Sequence, residues 1–491
     1  MKRSSLIIST TILLLTAAVA GTASAQMINL KTVPVASGDQ FLVYPSSNLS
    51  MGGVSIALED PWLDPFVNPA RGTRQQGVAL FGSPTFYNIT NDNGGARTLP
   101  FAIIYGDESW FGAMSLTMQE LRAPDEDFVV RQPSSIPQPR QANLLSEGSA
   151  TNKYFYGMLG KKLEGTTMSV AGSLSLADLN AVDGVEHLYA LSQGIDQFGH
   201  VLDLRVGLLN ELPGNRTVEA MLLHNRFRMT HDVTYIDFIW ESNTSETRLE
   251  RNLDRTDTWG LHLQYSQPLT ETGWRIGGIA TANYKSHPKI PNYEIMNIPR
   301  DPGHSWAYNL GVGVSREHEQ ARFGVDLIYE PINSNTWAET PVELELSDGG
   351  TIPAGGRTVD NEFDFSNALM RFGLSRDGQR GGLSLGLQVR SIDYKLRQID
   401  YVEGTRRRQR EHWLEWTPTW GGVIRFPEFE IRYSGRATLG TGRPGVAWTG
   451  SRAAMMDQAA AADIILAPSG PLALQDATVV THQVSVAIPI R

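Results

Sequence analysis

The side chains with most chemistry in this 491-residue chain are scattered rather than gathered. His318-Glu319-Gln320-Ala321-Arg322 begins like a zinc-protease helix but lacks the second histidine, and there is neither a Gly-x-Ser-x-Gly elbow nor a phosphate loop. His187, His224, His231 and His412 stand apart from one another. The chain has no cysteine, which removes disulfides, thiolate metal sites and cysteine nucleophiles. The expectation is a protein without enzymatic activity, cofactor or metal. What remains is a polar set recurring at alternate positions: His262, Gln264, Arg275, Asn283, Asn309, Arg371, Gln388, Arg390, Glu430, Arg432 and Arg436. Guanidinium groups clasp carboxylates. They could hold this chain's own Glu59, Asp60 and Asp64, or the head of an amphipathic acid.

The elements that must position these groups are β-strands. In Trp306 to Ser315, Trp306, Tyr308, Leu310, Val312 and Val314 alternate with Ala307, Asn309, Gly311, Gly313 and Ser315. The same period of two recurs at 110–118, 168–177, 259–266, 383–390 and 429–437, giving roughly sixteen candidate strands between 76 and 489. Short links, such as Gly106 to Ser109 and Arg376 to Gly381, alternate with long ones at 121–153, 178–198, 230–256, 285–304, 331–366, 395–411 and 440–478. An up-and-down transmembrane barrel has tight turns at one end and long loops at the other. Trp110, Trp259, Trp274, Trp306, Tyr284 and Tyr329 lie near strand ends, where amphipathic rings would meet lipid headgroups. A soluble β-sandwich or propeller is the alternative, disfavoured because sandwich strands run to about 5–6 residues and no repeat period appears. On the barrel reading the greasy face meets lipid, and the polar set lines a lumen. An enzyme with catalytic groups on the barrel rim is a disfavoured alternative.

The address agrees. Lys2 and Arg3 precede the apolar run Leu6 to Val19 and then Ala23-Ser24-Ala25, the pattern of a secretory signal peptide over 1–25. The formal net charge is −10, and losing the signal's two cations makes the mature chain more acidic still, so nucleic acid is excluded as a partner. No later stretch approaches the roughly 18–20 apolar residues of a membrane helix. The expected location is the bacterial outer membrane, with its lipid and lipopolysaccharide as partners.

Ahead of the first strand stand Ser50-Met51-Gly52-Gly53-Val54-Ser55-Ile56-Ala57-Leu58-Glu59-Asp60-Pro61 and, after Phe66, Val67-Asn68-Pro69-Ala70-Arg71-Gly72. This segment resembles the N-terminal signature of FadL-type long-chain fatty acid transporters and PorV/PorQ-like barrels, in which a Gly-rich stretch and an acidic residue precede Asn-Pro-Ala-Gly. Here Arg71 replaces that last glycine. The resemblance implies a fourteen-stranded barrel over 76–491, against the sixteen strands counted above, with 26–75 folded inside as a hatch. Gly52, Gly53, Asp60, Asn68, Pro69 and Ala70 would form the hatch motif; the plainer reading is an ordered cap on strand one.

Three further features bear on function. Arg406-Arg407-Arg408 with Arg410 is expected in a loop, there to meet lipopolysaccharide phosphates or simply water. The Ala/Met-rich stretch within 440–478 reads as a loop helix, a hydrophobic lid or a partner surface. Gly277-Gly278, Gly421-Gly422 and Pro418 are candidates for a strand distortion opening a lateral path to lipid. The expected function is a passage for small hydrophobic or amphipathic molecules. The alternative is a docking barrel for secretion or surface-protein partners.

Overall fold

The computed structural model describes residues 28, 30–91, 93–122, 149–185, 194–239, 244–269, 272–288, 302–346, 348–444 and 474–490. The signal sequence and the Ala/Met-rich stretch lie outside them. Sixteen antiparallel strands close into one barrel. The first, β1, is in two pieces, Gly77–Gly82 and Thr85–Ile89, broken at Ser83-Pro84 where the proline has no N–H to give. The rest are β2 (Gly95–Gly106), β3 (Trp110–Arg122), β4 (Ser149–Lys162), β5 (Met168–Leu179), β6 (Gly194–Leu212), β7 (Arg216–Ile239) and β8 (Thr244–Pro268). They continue with β9 (Trp274–Ser286), β10 (Gly303–His318), β11 (Ala321–Glu339), β12 (Arg357–Asp377), β13 (Gly381–Asp400), β14 (Thr405–Arg425), β15 (Glu430–Pro444) and β16 (Leu474–Ile490). Each pairs with its neighbours in sequence, and β16 closes on β1 through Val78↔Ile490 and Val479↔Ile89. Closure leaves no edge, which is what a bilayer requires of strands. The barrel thus has the sixteen strands counted from the sequence, not the fourteen of the resembled families.

The two faces divide as the alternation dictates. On β10, Trp306, Leu310 and Val312 are 43%, 40% and 58% exposed, whereas Ala307, Asn309 and Ser315 are buried inside. Outward side chains form an apolar belt bounded by rings. Trp259, Tyr284 and Trp306 are cross-strand neighbours on β8, β9 and β10 at the long-loop end, and Trp110 and Trp274 stand at the short-turn end. An outer-membrane barrel has such a belt, about 25 Å tall between aromatic girdles. Among the described residues no helix is long and apolar enough to cross a membrane.

Several strands overshoot the belt. β7 and β8 run to 24 and 25 residues, where about 9–11 suffice to cross the hydrocarbon. Residues 230–239 and 244–256, expected as loop, continue the ladder as Thr230↔Leu253 and Asp232↔Arg251. Arg406, Arg407 and Arg408 likewise sit on β14 opposite Ile399, Gln398 and Arg397, not in a loop. Above the belt the outward side chains are polar while inward ones such as Met229, Val233 and Tyr235 are buried, so the apolar-outside pattern of the crossing segments ends while the hydrogen-bonded ladder goes on.

Candidate functional site in the barrel lumen

The N-terminal segment, residues 28–76 where described, lies against the inward faces of the strands. It begins at the long-loop end, where Ile28 packs among Phe363, Phe365, Tyr394 and Trp413. Farther on, backbone bonds join it to β15 (Ala36 N to Gly442 O, Gly442 N to Pro34 O, each 2.6 Å). It ends at the short turns, where Gly72 touches Phe111 and Met158. A short helix, Asp64–Val67, and two 3-10 turns, Leu49–Met51 and Pro69–Arg74, are its only regular structure among the described residues.

The motif residues shape this path. Gly52 and Gly53 have φ of 69° and 72°, a left-handed backbone that costs glycine little. A Cβ on Gly52 would lie 2.6 Å from Phe372 O, and Gly52 N donates to Thr419 Oγ1 at 2.9 Å. The wall reciprocates with its own small residues: a Cβ on Gly373 would lie 2.3 Å from Met51 O. Asp60 is consumed within the segment, accepting from Ser47 N (2.9 Å), Asn48 N (3.0 Å), Trp62 N and Leu63 N (both 3.2 Å). Asn68 caps the second 3-10 turn by accepting from Ala70 N at 3.1 Å and reaches the wall through Nδ2 to Glu219 Oε2 at 2.8 Å. Pro69 and Ala70 are buried in that turn.

The expected lumen residues fall into two groups. Four bond the segment: Gln264 Nε2 donates to Ile56 O (3.0 Å), Arg371 Nη1 to Ser55 Oγ (3.2 Å), Arg432 Nη1 to Ser47 O (3.4 Å) and Arg436 Nε to Asp39 Oδ2 (2.6 Å). Others are held by the wall. Arg390 and Asn309 both donate to the buried Glu330, and His262 Nδ1 lies 2.6 Å from Thr281 Oγ1. Asn283 is fully buried beside Ile28.

The expected pairing of wall arginines with Glu59, Asp60 and Asp64 is corrected. Near the short turns the polarity is reversed: Arg71, on the segment, lies between its own Asp64 (2.6 Å) and the wall's Glu219 (2.7 Å). Glu59 pairs with Arg74, also on the segment, at 3.0 Å. One guanidinium thus serves two buried carboxylates. Burial pushes the Asp64 carboxyl up to about 7, the Arg71 charge opposing and the nearby Asp60 and Glu219 charges adding to the rise. Sequence reasoning missed Asp39, Glu219, Asp326 and Arg71 as anchors. Asp326 accepts from Ser55 N at 2.8 Å. Parity alone could have marked Glu219 and Asp326, since each stands at an inward-facing position of its strand.

Among the described residues, pairing is interrupted on both edges of two strands, at Ser83-Pro84 of β1 and along 437–440 of β15. Against β14, pairing lapses between Trp416↔Leu439 and Thr419↔Arg436, the interval containing Pro418. Across that gap Thr417 Oγ1 and Thr438 Oγ1 are 3.0 Å apart. Against β16, register shifts between Thr438 and Thr441, beside Gly440 with φ of 86°. Gly277-Gly278 and Gly421-Gly422, by contrast, keep their ladder pairs, which corrects the expectation of distortion there.

No protein-family model and no curated protein matches the chain. Among solved structures, the toluene transporter TodX of Pseudomonas putida is similar at 12% identity over 95% of this chain and 100% of that one, with a TM-score of 0.40. CdiB from Escherichia coli is similar at 11% identity over 83% of this chain, with a TM-score of 0.39. The siderophore receptor PirA of Acinetobacter baumannii is similar at 7% over 77%, with a TM-score of 0.35. This chain spans 63% of the length of CdiB and 64% of PirA.

Proposed function

We propose that this outer-membrane β-barrel is a passage for small hydrophobic or amphipathic molecules, with residues 28–76 as its hatch and an outlet to lipid beside β15. The observation that carries the reading is the irregularity of β15 on both edges at 437–440. The segment bonds β15 at Arg432 and Arg436 on one side of that stretch and at Thr441 and Gly442 on the other. A molecule displaced from the lumen there meets hydrocarbon once the strands part, and the segment stands in the way of axial flow. The resemblance of residues 50–72 to the FadL-type signature supports the same reading. Proteoliposomes holding the full barrel should speed transfer of a fluorescent long-chain amphiphile without raising ionic conductance. Conductance without transfer, or neither, would contradict the proposal.

A second reading, docking of a secretion or surface-protein partner, is favoured by the overshoot of β7, β8 and β11 to β14 beyond the belt. A partner of one-to-one stoichiometry that copurifies with the barrel and is lost when β7 and β8 are shortened to the belt would support it.

A further inference from the structure

We infer that the outer wall of β7 to β10 binds a phosphorylated glycolipid of the surrounding membrane, its acyl chains in a trough on the lipid face and its phosphate on the arginines above. The trough encloses about 930 Å³, within the roughly 300–1,000 Å³ of small-molecule sites. At its β8 end the floor is Gly278 and Ala280 on β9, flanked by Leu263 and Tyr265 on β8 and Leu310 and Val312 on β10, and the trough runs on across β11 to β13 past Tyr329 and Met370. These neighbours stand in register as Leu263↔Ala280↔Leu310 and Tyr265↔Gly278↔Val312. Large side chains flanking a low floor leave a depression that disordered lipid would fill poorly and a held acyl chain would fill well.

What distinguishes the trough from the rest of the belt is what lies above it. Continuing up the same strands, the next rows are Leu222↔Leu261↔Ala282 and then His224↔Trp259↔Tyr284↔Trp306. His224 stacks on Trp259 with ring centroids 4.2 Å apart, and Tyr284 leans on Trp306 at 5.0 Å. Above this ring comes Arg226↔Asp257, then Arg228↔Arg255. Asp257 holds Arg226 at 3.3 Å and Arg228 more closely, and Arg255 stands opposite Arg228 on the same face. Asp257 fixes two of the arginines in place without cancelling the charge. An anionic head at the level of the aromatic ring complements the surplus, and chains below it enter the trough. The site is independent of what the lumen passes.

The test uses the full barrel in nanodiscs of zwitterionic lipid, titrated with bisphosphorylated lipid A or its dephosphorylated form, with binding read by native mass spectrometry. Basic side chains near a membrane surface each contribute about fivefold. The phosphorylated form should therefore bind on the order of 100-fold more tightly, and Arg226→Ala/Arg228→Ala/Arg255→Ala should erase that preference. Gly278→Leu, filling the trough, should weaken both forms and keep their ratio. Arg406→Ala/Arg408→Ala on β14 controls for general surface charge, and heat-modifiable mobility on gels reports that each variant is folded. Equal binding of the two forms, a preference that survives the triple substitution in a folded barrel, or one lost in the β14 control would overturn the inference.

Discussion

Strand β9 carries Gly277-Gly278 at mid-height and keeps every pair with β8 and β10 from Arg275 to Ser286, whereas β15 loses pairs opposite Pro418 and shifts register at Gly440. Both stretches hold residues that weaken strands. The difference lies in what each residue does to the ladder and what stands behind it. A glycine still donates and accepts, and Gly277 is backed by the Ile56 carbonyl, itself tied to Gln264. Its missing side chain is the space the N-terminal segment occupies. A proline removes a donor outright. Gly277 therefore marks close packing against the segment, whereas the ladder lapses opposite Pro418.

Substitutions separate the two regions. The largest effect is expected from Arg71→Ala, which leaves Asp64 and Glu219 buried without their cation. Breaking a buried pair costs about 3–5 kcal/mol, so the denaturation midpoint in detergent should fall and proteolysis of the segment should rise while the β15 region is unchanged. Gly277→Val drives a side chain toward Ile56 O, 2.6 Å from its Cβ, and should cost about 1–3 kcal/mol by overpacking; an unchanged midpoint would mean the segment does not buttress β9.

Next comes pH. Asp64 is protonated in the folded protein up to about 7, above its unfolded range. The stability it contributes is thus full at low pH and is lost as pH rises through about 4 to 7, on the order of 1 kcal/mol per unit. Asp64→Asn should flatten that slope in denaturation midpoints measured from pH 5 to 8. The smallest effect is expected from Pro418→Val, which restores a donor and should stabilise the wall by about 0.5–1.5 kcal/mol. Slower amide exchange at 437–440 would register it.

The strand count and the faces were legible because a bilayer imposes a period of two on every crossing: Trp306 faces outward and Ala307 inward as the alternation requires. His262, Gln264, Arg371 and Arg432 followed from the same parity. The anchors did not, because pairings such as Asn68 with Glu219, 151 positions apart, depend on how the segment lies against distant strands, which no local pattern encodes. The reach of β7 and β8 above the belt was hidden for a different reason, since there the outward face turns polar and the apolar side chains Val233 and Tyr235 point inward. The trough over β9 was invisible because its lining comes from seven strands, β7 to β13.

On the proposed function the wall yields beside β15 and not beside β9. With no native cysteine in the chain, two engineered pairs test it directly. Thr417→Cys/Thr438→Cys spans the gap where the native hydroxyls lie 3.0 Å apart, and Thr281→Cys/Asn309→Cys joins cross-strand partners on β9 and β10. Oxidising the first pair should abolish transfer of the amphiphile, with recovery on reduction, while oxidising the second leaves transfer intact. Equal transfer through both oxidised barrels, or loss in the second alone, would contradict the account.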